Sequence, residues 1–495
     1  MTASEAPGKP VTEIRRANML IDGEWRASAT GETIDVENPA DRSKIGEVPR
    51  ATGVDVDGAV SAAGAAFASW RLVAPRERGQ MLVAIADDLR SRSDELARLI
   101  ALETGNALRT QARPEAASAV DIFRYFGGAA AEIKGTTVPL GEGLLNYNRR
   151  EPIGVVAGII PWNAPVQLGA LKIAMALCTG NTLVLKAAED APLAVLRMAE
   201  VCLAHLPRGV LNVITGYGEE CGEALAQHAG VAKISFTGST EVGKEIIRAA
   251  AGRIARVSLE LGGKSPALVF PDSDSDGVVD GVIMGMRFTR QGQSCTAGSR
   301  LFLHAGIFDS FMEKLVAKLG RLRIGDALDE ATDMGAIINK KQYDRVCSYI
   351  EDGLQAGAQT LIGGPPDGDP DLANGYFVRP TVFSRVENDW RIAREEIFGP
   401  VLVAIPWTDE EKVIRMANQS HYGLAAYVWC RDISRALNTA HRLESGWVQV
   451  NRGGGQLPGM SYGGFKQSGW GSEYSIEGAL EAFTQVKNIT VNLDF

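Results

Sequence analysis

The chain has cysteines but no pattern among them. Six (Cys178, Cys202, Cys221, Cys295, Cys347 and Cys430) are scattered over 495 residues without CxxC spacing. In a chain this long, that argues against a disulfide framework or a structural zinc site. The five histidines are equally dispersed, so spacing gives little support to a metal site or a Cys-His catalytic pair. No run of about 18 or more apolar residues occurs, and the start, "MTASEAPGKPVTEIRR", has no apolar signal core. These absences lead us to expect a cytoplasmic protein with no membrane partner. A net charge of -9 supplies no basic patch for nucleic acid.

What is present is enough for two or three domains. Apolar residues make up 45% of the chain, an ordinary level for a soluble protein with ample core. Residues 1 to about 17 read as a mobile arm, followed by the strand-like "NMLIDGEWR". In the next stretch Leu82, Ile85, Ala86 and Leu89 share one helical face, as do Leu96, Leu99 and Ile100, with Gly105 as a stop. From residue 153 short apolar runs ("IGVVAGII", "NTLVLK", "GVLNVIT", "AKISFTG") alternate with helical segments. Continuous apolar strands separated by helices imply a parallel, doubly wound α/β sheet. A second α/β series follows residue 263, and "GGPPDGDPDLANG" (363–375) reads as a surface loop. The segment 136–152 reads as a hairpin. The C-terminal "NITVNLDF" alternates like an edge strand, pairing either within the chain or with another subunit.

Several segments carry residues suited to chemistry. In "RQGQSCTAGSR", Cys295 lies among small polar residues rather than in an apolar core stretch. "FTGSTEVG" follows a strand and opens a helix, so Gly238 and Ser239 stand either at a phosphate site or at a simple capping turn. "LKAAED" ends a strand, where Lys186 and Glu189 are placed for ribose hydroxyls or form a solvated loop. Glu260 in "SLELGGKSP" faces either solvent or a dry cavity, and in the cavity it becomes a general base. Asn163 in "PWNAP" is either a turn residue or an amide held to stabilise an oxyanion.

Together, "PWN", "GNTLVLK..E", "FTGS", "ELGGK", "GQSCTAGSR", "EEIFGPV" and "GGFKQSG" occur in the order and spacing of the aldehyde dehydrogenase superfamily. The chain resembles that family from about residue 18 to its last strand. The resemblance implies an α/β fold with a Rossmann-type cofactor domain, a second α/β catalytic domain and a small β oligomerisation element. We expect the cofactor domain over 1–130 and 153–262, the catalytic domain over 263–465, and the oligomerisation hairpin and strand over 131–152 and 481–495. It implies that Cys295 is the nucleophile, with Asn163 and the Cys295 backbone N–H holding the oxyanion. Glu260 is then the base that hydrolyses a thioester, with Lys172 and Glu473 forming a proton path. Because members that transfer the acyl group to coenzyme A typically lack this base, Glu260 favours release of a free acid.

For the cofactor, the resemblance places Lys186 and Glu189 at the adenosine ribose and Gly238 and Ser239 at the pyrophosphate. Glu396 and Phe398 fall at the nicotinamide ribose, with Ile159, Pro161, Trp162 and Leu261 also against the cofactor. An acidic Glu189 favours NAD over NADP, although members with glutamate here can still use NADP. Matching tunnel positions gives Ser118, Ala164, Leu171, Thr289, Gly454 and Gln456, where many members carry rings. Gln167, Ser294, Thr296 and Arg452 complete the expected pocket. A tunnel without rings suits a bulky or aromatic aldehyde. Arg290 and Arg452 either meet a substrate carboxylate or pair with local acids. Ser472 stands where the family usually has arginine. A homodimer or homotetramer is expected, and the rival readings are a non-catalytic scaffold or a thioester or ester hydrolase using the same cysteine.

Overall fold

A computed structural model describes residues 15–365, 368–370 and 372–494. Most of the N-terminal arm and part of the 363–375 loop lie outside the described residues. Among the helices that precede the first parallel strand, Pro75–Ser91 and Ser93–Thr104 bury the faces read from their periodicity. Gly105 ends the second with φ 71°, a left-handed conformation that costs glycine little. A third helix, α1 (Arg113–Ala129), packs on both the first of these and the helix that follows the first parallel strand.

The first large sheet is built on β1 (Val155–Ile159), β2 (Thr182–Lys186), β3 (Leu211–Ile214), β4 (Lys233–Thr237) and β5 (Arg256–Glu260). They are parallel, in the order β5-β4-β1-β2-β3. The helices α2 (Pro165–Cys178), α3 (Leu193–Leu203) and α4 (Thr240–Ala251) follow β1, β2 and β4. Antiparallel edges close both sides: Met19–Ile21 and Glu24–Arg26 beyond β3, and Gly469–Trp470 beyond β5. The sequence thus returns to the first sheet well after the second has been built.

That second sheet holds β6 (Pro266–Val269), β7 (Arg300–His304), β8 (Thr381–Ser384), β9 (Val401–Trp407), β10 (Ala425–Trp429) and β11 (Trp447–Val450). All six are parallel, in the order β8-β9-β7-β6-β10-β11, with antiparallel Gln359–Ile362 at the β8 edge. Gly263, between β5 and β6, therefore sits where the chain crosses from one sheet to the other.

A small sheet joins the 136–152 hairpin to the chain end. Thr137–Pro139 pairs with Leu144–Pro152, which pairs in turn with Thr484–Asn492, all antiparallel. The C-terminal strand therefore pairs within its own chain and leaves its other edge free of a strand partner among the described residues. The described helices include none long and apolar enough to cross a membrane.

One strand differs from its reading. "AKISFTG" was expected as a continuous apolar run, yet β4 alternates. Lys233 and Ser235 face one way, Ile234 and Phe236 the other, and all are buried. β5 repeats the pattern with Ser258 and Glu260 opposite Leu259, in register Ser235↔Ser258 and Thr237↔Glu260. Complete burial hid a strand of period two, because its polar face is covered as thoroughly as its apolar one.

Candidate active site

The Cys295 loop begins at the end of the helix Asp276–Met286. Three residues close together take left-handed conformations, Arg287 (φ 61°), Gln291 (φ 52°) and Gly292 (φ 64°), and they coil the chain tightly. A Cβ on Gly292 would lie 2.1 Å from the Gly399 carbonyl oxygen, so the "GQSC" and "EEIFGP" segments meet backbone to backbone. The glutamines lock the coil. Gln291 donates to the Gly105 carbonyl (3.0 Å), Gln293 donates to Gln291 (3.1 Å), and Ile338 N–H donates to Gln293 (3.2 Å). Asn163 donates its side-chain amide to the Gln293 carbonyl at 2.9 Å, two residues before the cysteine. Asn163 is thus held beside the loop, near the Cys295 backbone.

Glycines bring the remaining pieces to the same point. A Cβ on Gly263 would meet the Cys295 carbonyl oxygen at 2.4 Å, and one on Gly262 would meet Glu396 Oε2 at 2.4 Å. Gly263 N–H donates to Glu396 at 3.0 Å. Ser468 of "GGFKQSG" donates to the Gly262 carbonyl (2.6 Å) and accepts from Gly423 N–H (2.9 Å). Three separated motifs are therefore clamped onto "ELGGK".

Cys295 is partly exposed, whereas Glu260 is only 5% exposed. Glu260 therefore does not face solvent, and one of its carboxylate oxygens has no partner among the described residues. Burial holds its carboxyl well above the usual carboxylate range, the Glu473 charge adds to this, and Lys172 opposes it. Burial pushes the Cys295 thiol up to about 11, against a hydrogen bond from Tyr462, with Glu396 and Glu260 adding to the rise.

Beyond Glu260 lies a dry polar cluster. Lys172 is ion-paired with Glu473, and both are essentially inaccessible. Glu473 also accepts from Ser235 (3.2 Å), Ser235 from Ser258 (3.2 Å), and Ser258 from Lys233 (3.0 Å). Tyr462 and Glu473 exchange both backbone hydrogen bonds, at 3.2 and 2.7 Å. That one bridge sets a phenol against Cys295 and a carboxylate on Lys172.

The cofactor candidates gather at the carboxyl ends of β1, β2, β4 and β5, the rim where parallel sheets bind nucleotides. Ile159 ends β1, with Pro161 and Trp162 just after it. Lys186 ends β2 and is ion-paired with Glu189 at 2.7 Å. Gly238 follows β4, where a Cβ would meet the Phe236 ring at 2.4 Å. Ser239 caps α4, accepting from Val242 N–H at 3.3 Å. Leu261 lies against Gly243 of α4, and Trp162 and Phe398 stack edge-on at 5.4 Å. Phe398 holds φ 59°, uncommon for an aromatic residue, and Gln342 bonds its carbonyl at 2.8 Å.

The pocket candidates are less uniform. Ala164 caps α2, and Gln167 on α2 donates to the Tyr474 hydroxyl at 3.0 Å. Ser294 and Thr296 share a hydroxyl contact of 3.1 Å, and Thr289 accepts from Gln111 at 2.6 Å. Leu171 is fully buried in the main core and presents no open surface. Ser118 on α1 and Gln456 are half-buried, with no side-chain hydrogen bond among the described residues. The Arg452 guanidinium crosses Gly454, whose carbonyl accepts from Arg287 (2.7 Å) and Gln449 (3.0 Å). Arg290 takes the local reading: it bonds Gln111 at 3.1 Å and lies 3.6 Å from Glu115, whose other oxygen accepts from Val166 N–H at the start of α2.

Sequence reasoning missed the rings. Tyr462 stacks between Trp447 (5.8 Å) and Tyr474 (5.5 Å), and its hydroxyl lies 3.7 Å from Cys295 Sγ. The tyrosine of "MSYGGF", adjoining a motif already singled out, was the available signal.

A sequence model of the Aldehyde dehydrogenase family matches residues 25–489. The chain belongs to the aldehyde dehydrogenase family. It is 45% identical over 478 residues to hydroxyisobutyraldehyde dehydrogenase of Mycolicibacterium austroafricanum, covering 96% of this chain and 94% of that one. An aldehyde dehydrogenase from Bacillus cereus, solved as an NAD+ complex, superposes with a TM-score of 0.94 at 39% identity, covering 97% of each chain. Betaine aldehyde dehydrogenase of Staphylococcus aureus, also solved with NAD+, gives 0.94 at 35% identity, over 97% of this chain and 95% of that one. An aldehyde dehydrogenase fold and aldehyde oxidation as the reaction class follow from this membership.

Proposed function

We propose that the enzyme oxidises a bulky or aromatic aldehyde to the carboxylic acid with NAD, through a thiohemiacetal and then a thioester on Cys295. The observation that carries this is the convergence on Cys295 of the Asn163 segment, the Glu260 strand and the "EEIFGP" segment. The strand-end rim fits a dinucleotide: the capped α4 N-terminus offers N–H groups to phosphate, and Glu189 offers a carboxylate to ribose hydroxyls. The same carboxylate disfavours a 2′-phosphate, hence NAD over NADP. A nicotinamide bound there would supply the hydride acceptor.

In this reading the Cys295 thiolate attacks the carbonyl carbon, and the Asn163 amide with the Cys295 N–H holds the oxygen as it becomes negative. Lys186, Glu189, Ser239 and Glu396 would hold the cofactor. Glu260, kept basic by its dry surroundings, then takes a proton from the water that opens the thioester. The Lys172–Glu473 pair relays that proton away.

Substrate size is inferred from two walls. Ser118, Ala164, Thr289 and Gly454 are small and leave room for bulk, whereas Tyr462, Tyr474 and Trp447 form a buried aromatic cluster behind Cys295. A homodimer or homotetramer through the Thr484–Asn492 sheet is part of the same proposal, supported by exposed Leu144, Leu145, Val486 and Val491. The test is NADH formation over aliphatic, aromatic and polycyclic aldehydes. We expect higher kcat/KM for ring-bearing substrates and none with Cys295→Ala. A far higher kcat/KM for acetaldehyde would remove the size assignment, and NAD binding without NADH formation would remove the oxidation.

A further inference from the structure

Tyr462 is only 5% exposed, and its ring is gripped edge-on by Trp447 and Tyr474, both at 78°. A phenylalanine would satisfy those ring contacts equally. The hydroxyl therefore needs its own explanation, because a buried phenol O–H requires a partner. Among the described residues its partner is Cys295 Sγ, at 3.7 Å. The backbone bridge to Glu473 fixes where the ring stands, so the hydroxyl is aimed rather than free to wander.

The other groups facing the sulfur do little for a thiolate. Glu260 on β5 and Glu396 before β9 both carry charge of the wrong sign. Arg290, from the loop itself, is drawn to Glu115. The Tyr427 hydroxyl, on β10, is committed to the Thr296 carbonyl at 2.8 Å. The Tyr474 hydroxyl accepts from Gln167 and makes no hydrogen bond to the sulfur among the described residues. Beside the backbone N–H of Cys295 itself, that leaves Tyr462 as the side-chain donor aimed at the sulfur among the described residues.

We propose that Tyr462 is a catalytic residue whose hydroxyl donates a hydrogen bond to the Cys295 thiolate and releases it as the sulfur bonds to the carbonyl carbon. The thiol proton passes to the Glu260 carboxylate and on through the Lys172–Glu473 pair, which leaves Glu260 free to act as base again; the S–C bond forms, and the carbonyl π electrons move to oxygen. Tyr462 keeps its own proton throughout, and burial holds its phenol well above the usual range, consistent with that role. The proposal rests on Cys295 as the nucleophile.

Losing such a donor raises a thiol pKa by about one unit, reducing the thiolate share about tenfold. Each remaining thiolate becomes roughly threefold more nucleophilic, because nucleophilicity rises with basicity. The net expectation is a rate about threefold lower. The experiment measures alkylation of Cys295 by iodoacetamide in the purified full-length protein without aldehyde, with the adduct located by mass spectrometry. Tyr462→Phe is expected to react about threefold more slowly at neutral pH. Replacement of Tyr462 by meta-fluorotyrosine, a stronger donor of nearly equal size, is expected to react faster than wild type. A wild-type rate for Tyr462→Phe overturns the proposal. So does a shift in the same direction for both variants, which would mark a packing role. Alkylation needs neither aldehyde nor NAD, so failure of the oxidation reading in the NADH assay is distinguishable from failure of this one.

Discussion

The two faces of β4 and β5 are equally dry and differently filled. On one, Ile234, Phe236 and Leu259 join a hydrophobic cluster with Val155, Ile246 and Leu261. On the other, Lys233, Ser235, Ser258 and Glu260 are 5% exposed or less and meet Lys172 and Glu473. The first face is held by packing. The second is held by hydrogen bonds and charge pairing, whose net return after desolvation is small or negative beside a well-packed apolar alternative. Since the same two strands show how an apolar face is built, the polar one reads as retained for chemistry rather than for stability.

Substitutions can break that contrast. Glu260→Gln is expected to lower turnover about 10²- to 10⁴-fold, the usual weight of a general base, without loss of denaturant midpoint. Steady-state NADH assays and urea unfolding check both halves. Lys172→Met strands the buried Glu473 carboxylate and should cost about 3–5 kcal/mol of unfolding free energy. The pair Lys172→Met with Glu473→Leu should recover part of it, because the carboxylate stranded by the single substitution is gone. Across the sheet, Ile234→Ala should cost about 2–5 kcal/mol while activity per folded molecule stays near wild type. A comparable loss of activity there would erase the distinction between the faces.

Two smaller effects sharpen it. Burial pulls the Lys233 ammonium down from 10.5 to about 7, opposed by Glu473 and reinforced by Lys172 and Arg256. Between those values the unfolded chain binds more protons than the folded one. Lys233 therefore adds stability as pH rises through that window and withdraws it as pH falls to 7. Comparing Lys233→Met with wild type by urea unfolding from pH 7 to 10 should show the variant's curve flatter by up to about 1.4 kcal/mol per pH unit. Last, the Thr237 hydroxyl is buried without a partner among the described residues. Thr237→Val should be neutral or stabilising by about 1 kcal/mol, read from the same unfolding curves.

Much of the framework was legible because it depends on local pattern. Leu82, Ile85 and Leu89 announced a helix, and Gly105 its end. Cys295 stood out because small polar neighbours are an odd setting for a structural thiol, and the order of the motifs carried the fold. Partners brought from distant segments were not legible. Arg290 shows no sign in sequence that Glu115 awaits it, and Ser468 none that it will bond Gly262. The rings are illegible for a related reason: Trp447 on β11 and Tyr462 and Tyr474 after it meet only in the fold. Lys233 and Ser258 escaped because a run that is buried on both faces looks apolar until its alternation is counted.

The two-residue bridge between Tyr462 and Glu473 has a mechanical consequence. In the proposed mechanism, the groups that serve thiolate attack and thioester hydrolysis hang from the same short rung. A distortion of that rung detunes both half-reactions together, so neither drifts out of step with the other. On that mechanism the timing of two chemical events would rest on a single stiff mount, without a moving part.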